Sequence, residues 1–306
     1  MESLIASSET MVRLRSYLAK VAGSDANVLI TGETGTGKER VADAIHRLSA
    51  RSAAPFVCIN CAAIPDGLVE SELFGFERGA FTGAQNAYPG KLRLANRGTV
   101  FFDEIGEMSP IVQAKLLRAI ETREIFPIGG NRPIALDIRI IAATNQDLEL
   151  LLEDKHFRSD LFYRLNIARL HLPPLRERRE DILLLFGHFL SEFSRRHGVA
   201  EPGVSAEMRE CLINYDWPGN VRELRNLVEA IFIDPPADVM TLDDLPFAFQ
   251  GLFIGVAPRS SDERTRLLSI LQSTNWNKSR AAAELKWSRM TLYRKLAKYA
   301  ISAEHC

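Results

Sequence analysis

The chain has 306 residues, 46% hydrophobic and 25% charged, with a net charge of −1, the profile of a globular protein with room for two or three domains. Its longest apolar runs, such as Ile182 to Phe186, fall far short of the ~20 residues that cross a bilayer. The N-terminus, MESLIASSET, has no basic stretch ahead of an apolar core, so the expectation is a cytoplasmic protein without a secretory leader or membrane anchor.

In chain order, a helical pattern over Glu9 to Val21 leads into an apolar strand, Asn27 to Thr31, then glycines, then a helix carrying Val41, Ala44, Ile45 and Leu48. Further strands read Pro55 to Asn60, Thr99 to Asp103 and Ile138 to Thr144. Short apolar strands alternating with helices predict an α/β fold with a parallel sheet covered on both faces. Beyond Leu172 the pattern is helical: Asp181 to Arg196, Ser205 to Tyr215 and Asn220 to Ile231, a small helical lid. Asp234-Pro-Pro-Ala-Asp breaks the chain, and the stretch to Ser261 reads as a linker. The expected divisions are 1–172, 173–233, 234–261 and 262–306.

Charge is uneven along this order. From Asp262 onward nine Lys/Arg face four acids, so the tail is +5 and the rest −6, which points to a polyanion met by the tail alone. Four cysteines make no disulfide framework. Cys58 and Cys61 form a C-x-x-C without a second pair to complete a zinc site, and the expectation is reduced thiols lining a core.

Gly32-Glu33-Thr34-Gly35-Thr36-Gly37-Lys38 matches G-x-x-x-x-G-K between a strand and a helix. Its glycines let backbone N–H groups turn around phosphates, the helix start adds partial positive charge, and Lys38 reaches the β/γ-phosphates. Glu39 stands where most such loops put a Ser or Thr that touches Mg2+. Phe101-Phe-Asp103-Glu104 is a strand ending in two acids, a Walker B pattern. Asp103 is expected to hold Mg2+ through water, and Glu104 to polarise the attacking water. Together they predict ATP hydrolysis rather than mere binding.

Between these motifs lies Gly79-Ala80-Phe81-Thr82-Gly83-Ala84. Two glycines bracket an aromatic ring whose neighbours are too small to bury it, so the expectation is a loop tip that displays Phe81 to a partner. Ile125 to Pro133 has paired glycines and flanking prolines and predicts a second, hairpin-like loop. In the tail, Asn277 to Leu285 and Ser288 to Lys298 predict a helix-turn-helix. Ser288 is the N-cap; Arg289, Met290, Thr291 and Arg294 lie where base edges are reached, and Lys295 and Lys298 where phosphates are. Leu267, Leu268 and Leu271 on the preceding helix suit dimer packing.

GETGTGKE, NCAAI, ESELFG, GAFTGA, FFDEIGEM, AATN, FRSDLFYRLN and WPGNVREL resemble the central domain of bacterial enhancer-binding proteins, the AAA+ activators of sigma-54 RNA polymerase; the resemblance spans about Met11 to Ile233. It implies an AAA+ P-loop domain, a helical lid and a C-terminal helix-turn-helix, the last similar to the Fis type. It implies that Glu39 after the lysine is usual, that Asn60 bonds Glu104 as a switch, that Thr144 and Asn145 read the γ-phosphate and that Arg222 does so from the lid. It further implies that Arg158 and Arg164 reach the nucleotide of the next subunit, which one being catalytic left open, in a ring, most simply a hexamer, homomeric or mixed. The implied partner of Gly79 to Ala84 is sigma-54 holoenzyme, with Thr82 holding the gripping geometry, and the implied partner of the tail is enhancer DNA. The two loops are expected to rise together with ATP bound and retract after phosphate release. The tail departs from the pattern at Lys286, where glycine is usual, and at Trp287. Some 30 residues precede Gly32, too few for a receiver or sensing domain, so control is expected from a partner acting in trans on the ATPase body.

Overall fold

A computed structural model describes residues 4–236, 238–246, 249, 253, 267, 270, 271, 273, 274, 276–285, 287, 289–298 and 301. The chain divides into two units, residues 1–198 with 216–229 and residues 199–215 with 230–306.

The first unit is built on five parallel strands. These are β1 (Val28–Thr31), β2 (Phe56–Asn60), β3 (Thr99–Asp103), β6 (Arg139–Thr144) and β7 (Ala168–His171), in the order β2-β3-β6-β1-β7. Successive side chains point to opposite faces. Val28, Ile30, Phe101, Ile141 and Ala143 join the core of α1 (Glu9–Ala22) and α2 (Lys38–Arg47). Leu29, Val100, Phe102, Ile140 and Ala142 join that of α3 (Asp66–Phe74), α4 (Lys91–Leu94), α5 (Pro110–Thr122), α6 (Leu148–Glu153) and α7 (Ser159–Leu165). In α1, Met11, Leu14, Leu18 and Val21 recur on one buried face, with Glu9 in the first turn and Lys20 in the last to suit the helix dipole. Each such side chain contributes about 1.5–3 kcal/mol on burial.

The sequence reading takes four strands; the fifth is β7. It forms one edge of the sheet and buries only Ala168 and Leu170, leaving Arg169 and His171 exposed. The opposite edge corrects another expectation. Cys58 does not line a core but is exposed on edge strand β2, whereas Cys61 is buried. Burial, then the Asp103 carboxylate, pushes the Cys61 thiol up to about 12. β4 (Glu124–Ile125) and β5 (Ile134–Ala135) pair antiparallel, which makes the second loop a hairpin.

The lid pattern resolves into α8 (Glu180–His197), α9 (Ala206–Asn214) and α10 (Asn220–Ile231). α9 is capped by Ser205, whose hydroxyl accepts from the Met208 N–H at 3.2 Å. In the second unit β8 (Gly203–Val204) runs parallel to β9 (Val239–Met240).

The tail carries helices Lys278–Glu284 and Arg289–Lys298, with Ala281, Ala282, Leu285, Leu292 and Leu296 in one small core. Leu267 and Leu271 are buried in that same core, so they are not a free dimer face: two short helices need a third to cover their apolar sides. Ser288, Lys286, Leu268 and much of the stretch 262–273 lie outside the described residues. Arg289 and Met290 open the second helix, Thr291 is half-buried and Arg294 exposed. Trp287 packs against the core, and the Lys295 ammonium sits 5.9 Å from its ring centre.

Candidate functional site

The carboxyl ends of β1, β3 and β6 converge, where parallel α/β sheets place ligands. Gly32 leaves β1 with its N–H on the Thr144 carbonyl at 3.3 Å, and the loop turns until α2 begins at Lys38. At Gly35, φ is +80° and a Cβ would lie 2.3 Å from the Gly219 carbonyl oxygen and 3.1 Å from Arg222 Cβ. Only glycine allows the loop to lie this close to the start of α10, where the Arg222 N–H donates to the Gly35 carbonyl at 3.3 Å.

Lys38 is buried. Its Nζ donates to the Gly32 carbonyl at 2.9 Å and stands 3.4 Å from Glu104 Oε1. Glu104 holds φ 53°, ψ 53°, a left-handed conformation costing a non-glycine residue roughly 1–2 kcal/mol. In that pose its Oε2 accepts from the Asn145 N–H at 3.0 Å, and Asn145 Nδ2 donates to Thr34 Oγ1 at 3.0 Å. Thr34, Lys38, Glu104 and Asn145 are therefore one polar network spanning three strand ends. Thr144, beside it, is fully buried, and its hydroxyl accepts from the Gln146 N–H. Asp103 is half-buried, and burial, then the neighbouring Glu104, pushes its carboxyl above the usual range. Two crowded carboxylates beside a phosphate loop are a donor set that fits a hard cation.

These groups face a cavity of about 510 Å³, within the usual range for ligand sites. Its polar lining comes from Thr34 to Arg40, including Thr36, Gly37 and Glu39, with Asp103, Glu104, Arg178, Arg222 and Arg225. Its apolar lining comes from Leu4, Ile5, Met11, Leu185 and Phe189.

Four expected residues sit elsewhere. Asn60 is level with Asp103 across β2 and β3, but its Oδ1 accepts from the Ala62 and Ala63 N–H groups at 3.0 and 3.2 Å. In this conformation it caps the turn after β2, and the Glu104 carboxylate is held by Asn145 and Lys38 instead. The Glu33 side chain points out of the cavity into a two-pronged pair with Arg176 at 2.6 and 2.9 Å, which holds its carboxyl below the usual range. Arg158 and Arg164 are exposed, paired with Asp160 and Glu121 on their own surface.

Sequence reasoning missed two residues. Asn220, fully buried, accepts from the Leu175 N–H at 2.7 Å and donates to the Thr34 carbonyl at 3.0 Å and to Glu33. Arg178, 3% exposed, donates to the Thr36 carbonyl at 2.9 Å. Their signal was present: the arginine run of Leu175-Arg-Glu-Arg-Arg179 and the asparagine opening α10.

The display loop is built on a short ladder. Phe76 exchanges two backbone bonds with Tyr88 at 2.9 Å each, while Glu77 N–H donates to the Ile128 carbonyl at 3.0 Å and Ile128 N–H to the Gly75 carbonyl at 2.9 Å. The two loops thus share a hydrogen-bonded base. Above it, Gly79 and Ala84 close the tip by a 2.8 Å bond, with φ of +84° at Gly79 and +108° at Gly83. Ala84 is buried, Ala80 half-buried, Thr82 exposed, and Phe81 46% exposed with its edge against Phe76 at 4.9 Å.

A phosphate loop, a strand-end acid pair, a third-strand asparagine and a lid arginine on one parallel sheet define a P-loop nucleotide-binding protein of the AAA+ class. Residues 4–171 match the sigma-54 interaction domain, 176–252 the AAA+ ATPase lid domain and 262–299 the Fis family of bacterial regulatory proteins. The chain is 45% identical to the transcriptional regulatory protein ZraR of Escherichia coli over 96% of its length and 68% of that protein. It is 43% identical to the E. coli regulatory protein AtoC over 97% of its length and 68% of that protein. Among solved structures it resembles NtrX from Brucella abortus in complex with ATP: TM-score 0.77, 33% identity, 97% of this chain and 70% of that one. The chain belongs to the sigma-54-dependent transcription activators, with an AAA+ ATPase domain, a lid domain and a Fis-type DNA-binding domain.

Proposed function

We propose that the chain hydrolyses ATP in a ring of subunits, most simply a hexamer, and uses the energy to convert the closed complex of sigma-54 RNA polymerase into an open one from an upstream enhancer. The observation that carries the reading is the pairing of the Thr34, Lys38, Glu104 and Asn145 network with an exposed phenylalanine on a glycine-braced loop. The polar lining suits the phosphates, and the apolar lining suits a purine. Lys38, set between loop carbonyls and Glu104, meets the β- and γ-phosphates. Glu104 orients the attacking water, and Asn145, bonded to both Glu104 and the phosphate loop, reads the γ-phosphate. Arg222 reads it from the lid. Mg2+, when bound, would neutralise phosphate charge beside Asp103 and Glu39.

Arg158 and Arg164 face outward from their own subunit, which suits a role at the neighbour's nucleotide. Gly79 to Ala84 grip sigma-54, and the helix opening at Arg289, with Thr291, Arg294 and Lys295, meets enhancer DNA. No described helix is long and apolar enough to cross a membrane. As a partner of sigma-54 RNA polymerase and DNA, the activator would work in the cytoplasm.

Open-complex formation at a sigma-54 promoter with ATP tests the reading. Thr82→Ala and Phe81→Ala are expected to retain ATPase activity within about threefold while open complexes fall at least tenfold. Full activation by both variants would sink the loop assignment.

A further inference from the structure

We infer that Asp181 is a positioning residue for the nucleotide: a buried latch holding the segment Leu4 to Ser8 across the cavity. Asp181, near the start of α8, is 0% exposed. Its two oxygens accept four hydrogen bonds, all from one place: the Ser7 N–H at 2.5 Å, the Ser8 N–H at 2.8 Å, the Ser7 hydroxyl at 3.2 Å and the Ser8 hydroxyl at 2.7 Å. A buried carboxylate needs such partners. Ser8 is also the N-cap residue of α1, yet its side chain makes no bond to the helix it caps. The hydroxyl that would normally stabilise that helix start is committed to Asp181 instead.

Leu4 and Ile5, just before the latched serines, line the nucleotide cavity. Asp181, Leu185, His188 and Phe189 recur at helical spacing on one face of α8, and the last three line the same cavity. Three residues before Asp181, the Arg178 guanidinium is fixed to the phosphate loop through the Thr36 carbonyl. The start of α8 is thus bonded on one side to the loop that meets phosphate and on the other to the strap that supplies apolar wall. Arg15 donates to the Leu4 and Ala6 carbonyls at 3.5 and 3.1 Å, so releasing the latch loosens Leu4 and Ile5, which keep only those longer bonds, and leaves the Arg178 bond to the phosphate loop in place. The strap therefore sets affinity for the base and ribose.

This rests on the ATPase reading, and the test separates the two. In the full chain, affinities for ATP and for inorganic tripolyphosphate, which has no base or ribose, are measured by calorimetry beside KM and kcat. Asp181→Ala is expected to raise the ATP Kd and KM about tenfold or more, to move the tripolyphosphate Kd less than twofold and to lower kcat less than twofold. Asp181→Asn is expected to stay within about threefold of the parent chain, because its carbonyl oxygen still accepts from both serine N–H groups and its amide can donate to Ser8 Oγ. Ser8→Ala, the milder lesion should Asp181→Ala fail to fold, is expected to weaken ATP about threefold and leave tripolyphosphate unchanged. Equal weakening of both ligands, or no change for ATP, would overturn the latch. A parent chain that binds ATP without hydrolysing it would overturn the ATPase reading and leave the latch to be judged on the two affinities.

Discussion

Lys38 and Glu104 lie 3.4 Å apart, and their roles separate cleanly by substitution. Lys38→Ala removes the cation from the phosphate path, and ATP binding is expected to fall at least tenfold by calorimetry. Glu104→Gln keeps the size and the hydrogen bonds but not the charge that polarises water; ATP should still bind, with turnover lowered about 100-fold or more. The loop glycines make a matched pair. At Gly35 an added methyl meets the Gly219 carbonyl, whereas at Gly37, φ +104°, it meets nothing. Gly35→Ala should therefore lose ATP affinity well beyond Gly37→Ala, whose penalty is the roughly 1–2 kcal/mol of backbone strain alone. Legibility at this scale followed local spacing. Gly35, Lys38 and the acid pair were readable because their chemistry is set by neighbours in sequence. Asn220 carried only the signal of an asparagine at a helix start; its bonds to Leu175, Glu33 and Thr34, all more than 40 positions away, were not readable.

At the scale of elements, strands read from continuous apolar runs were visible, and β7 was not, because an edge strand with one buried face mixes Arg and His into its pattern. The same edge logic misled the reading of Cys58. The loops were visible through their glycines, but their mutual bonding was not: a one-residue bridge between Phe76 and Ile128 leaves no sequence trace. Contact between the loops extends to the tip, where a Cβ on Gly129 would lie 2.9 Å from Ala80 Cβ. Gly129→Val is therefore expected to push the loops apart, leaving ATPase activity within about threefold while open-complex yield falls at least fivefold.

For the whole molecule, the class of fold was legible because hydrophobic period and motif order agree over most of the chain, whereas the packing of Leu267 and Leu271 into the tail's own core was not. The arginine placement predicts complementation. Glu104→Gln subunits and Arg158→Ala/Arg164→Ala subunits should each be inactive, yet mixing them should restore part of the ATPase rate, since some junctions then join an intact glutamate to intact arginines. No recovery over a range of ratios would exclude a shared site. Stability should also carry a pH signature from His46, which is buried against Thr99 and Phe56. Burial holds its pKa below the 6.5 usual for histidine. Above that value both folded and unfolded chains are neutral there; below it the unfolded chain binds a proton first, so stability falls as pH drops through the window. His46→Gln should flatten the slope of urea-unfolding free energy as pH falls below about 6.5.

The bonded base beneath the two loops has a mechanical corollary. Main-chain bonds through Gly75, Glu77 and Ile128 tether one loop to the other, so neither can shift far alone without breaking them. Displacement of either loop should therefore be matched by its neighbour, and probes placed one on each are expected to report a single shared transition.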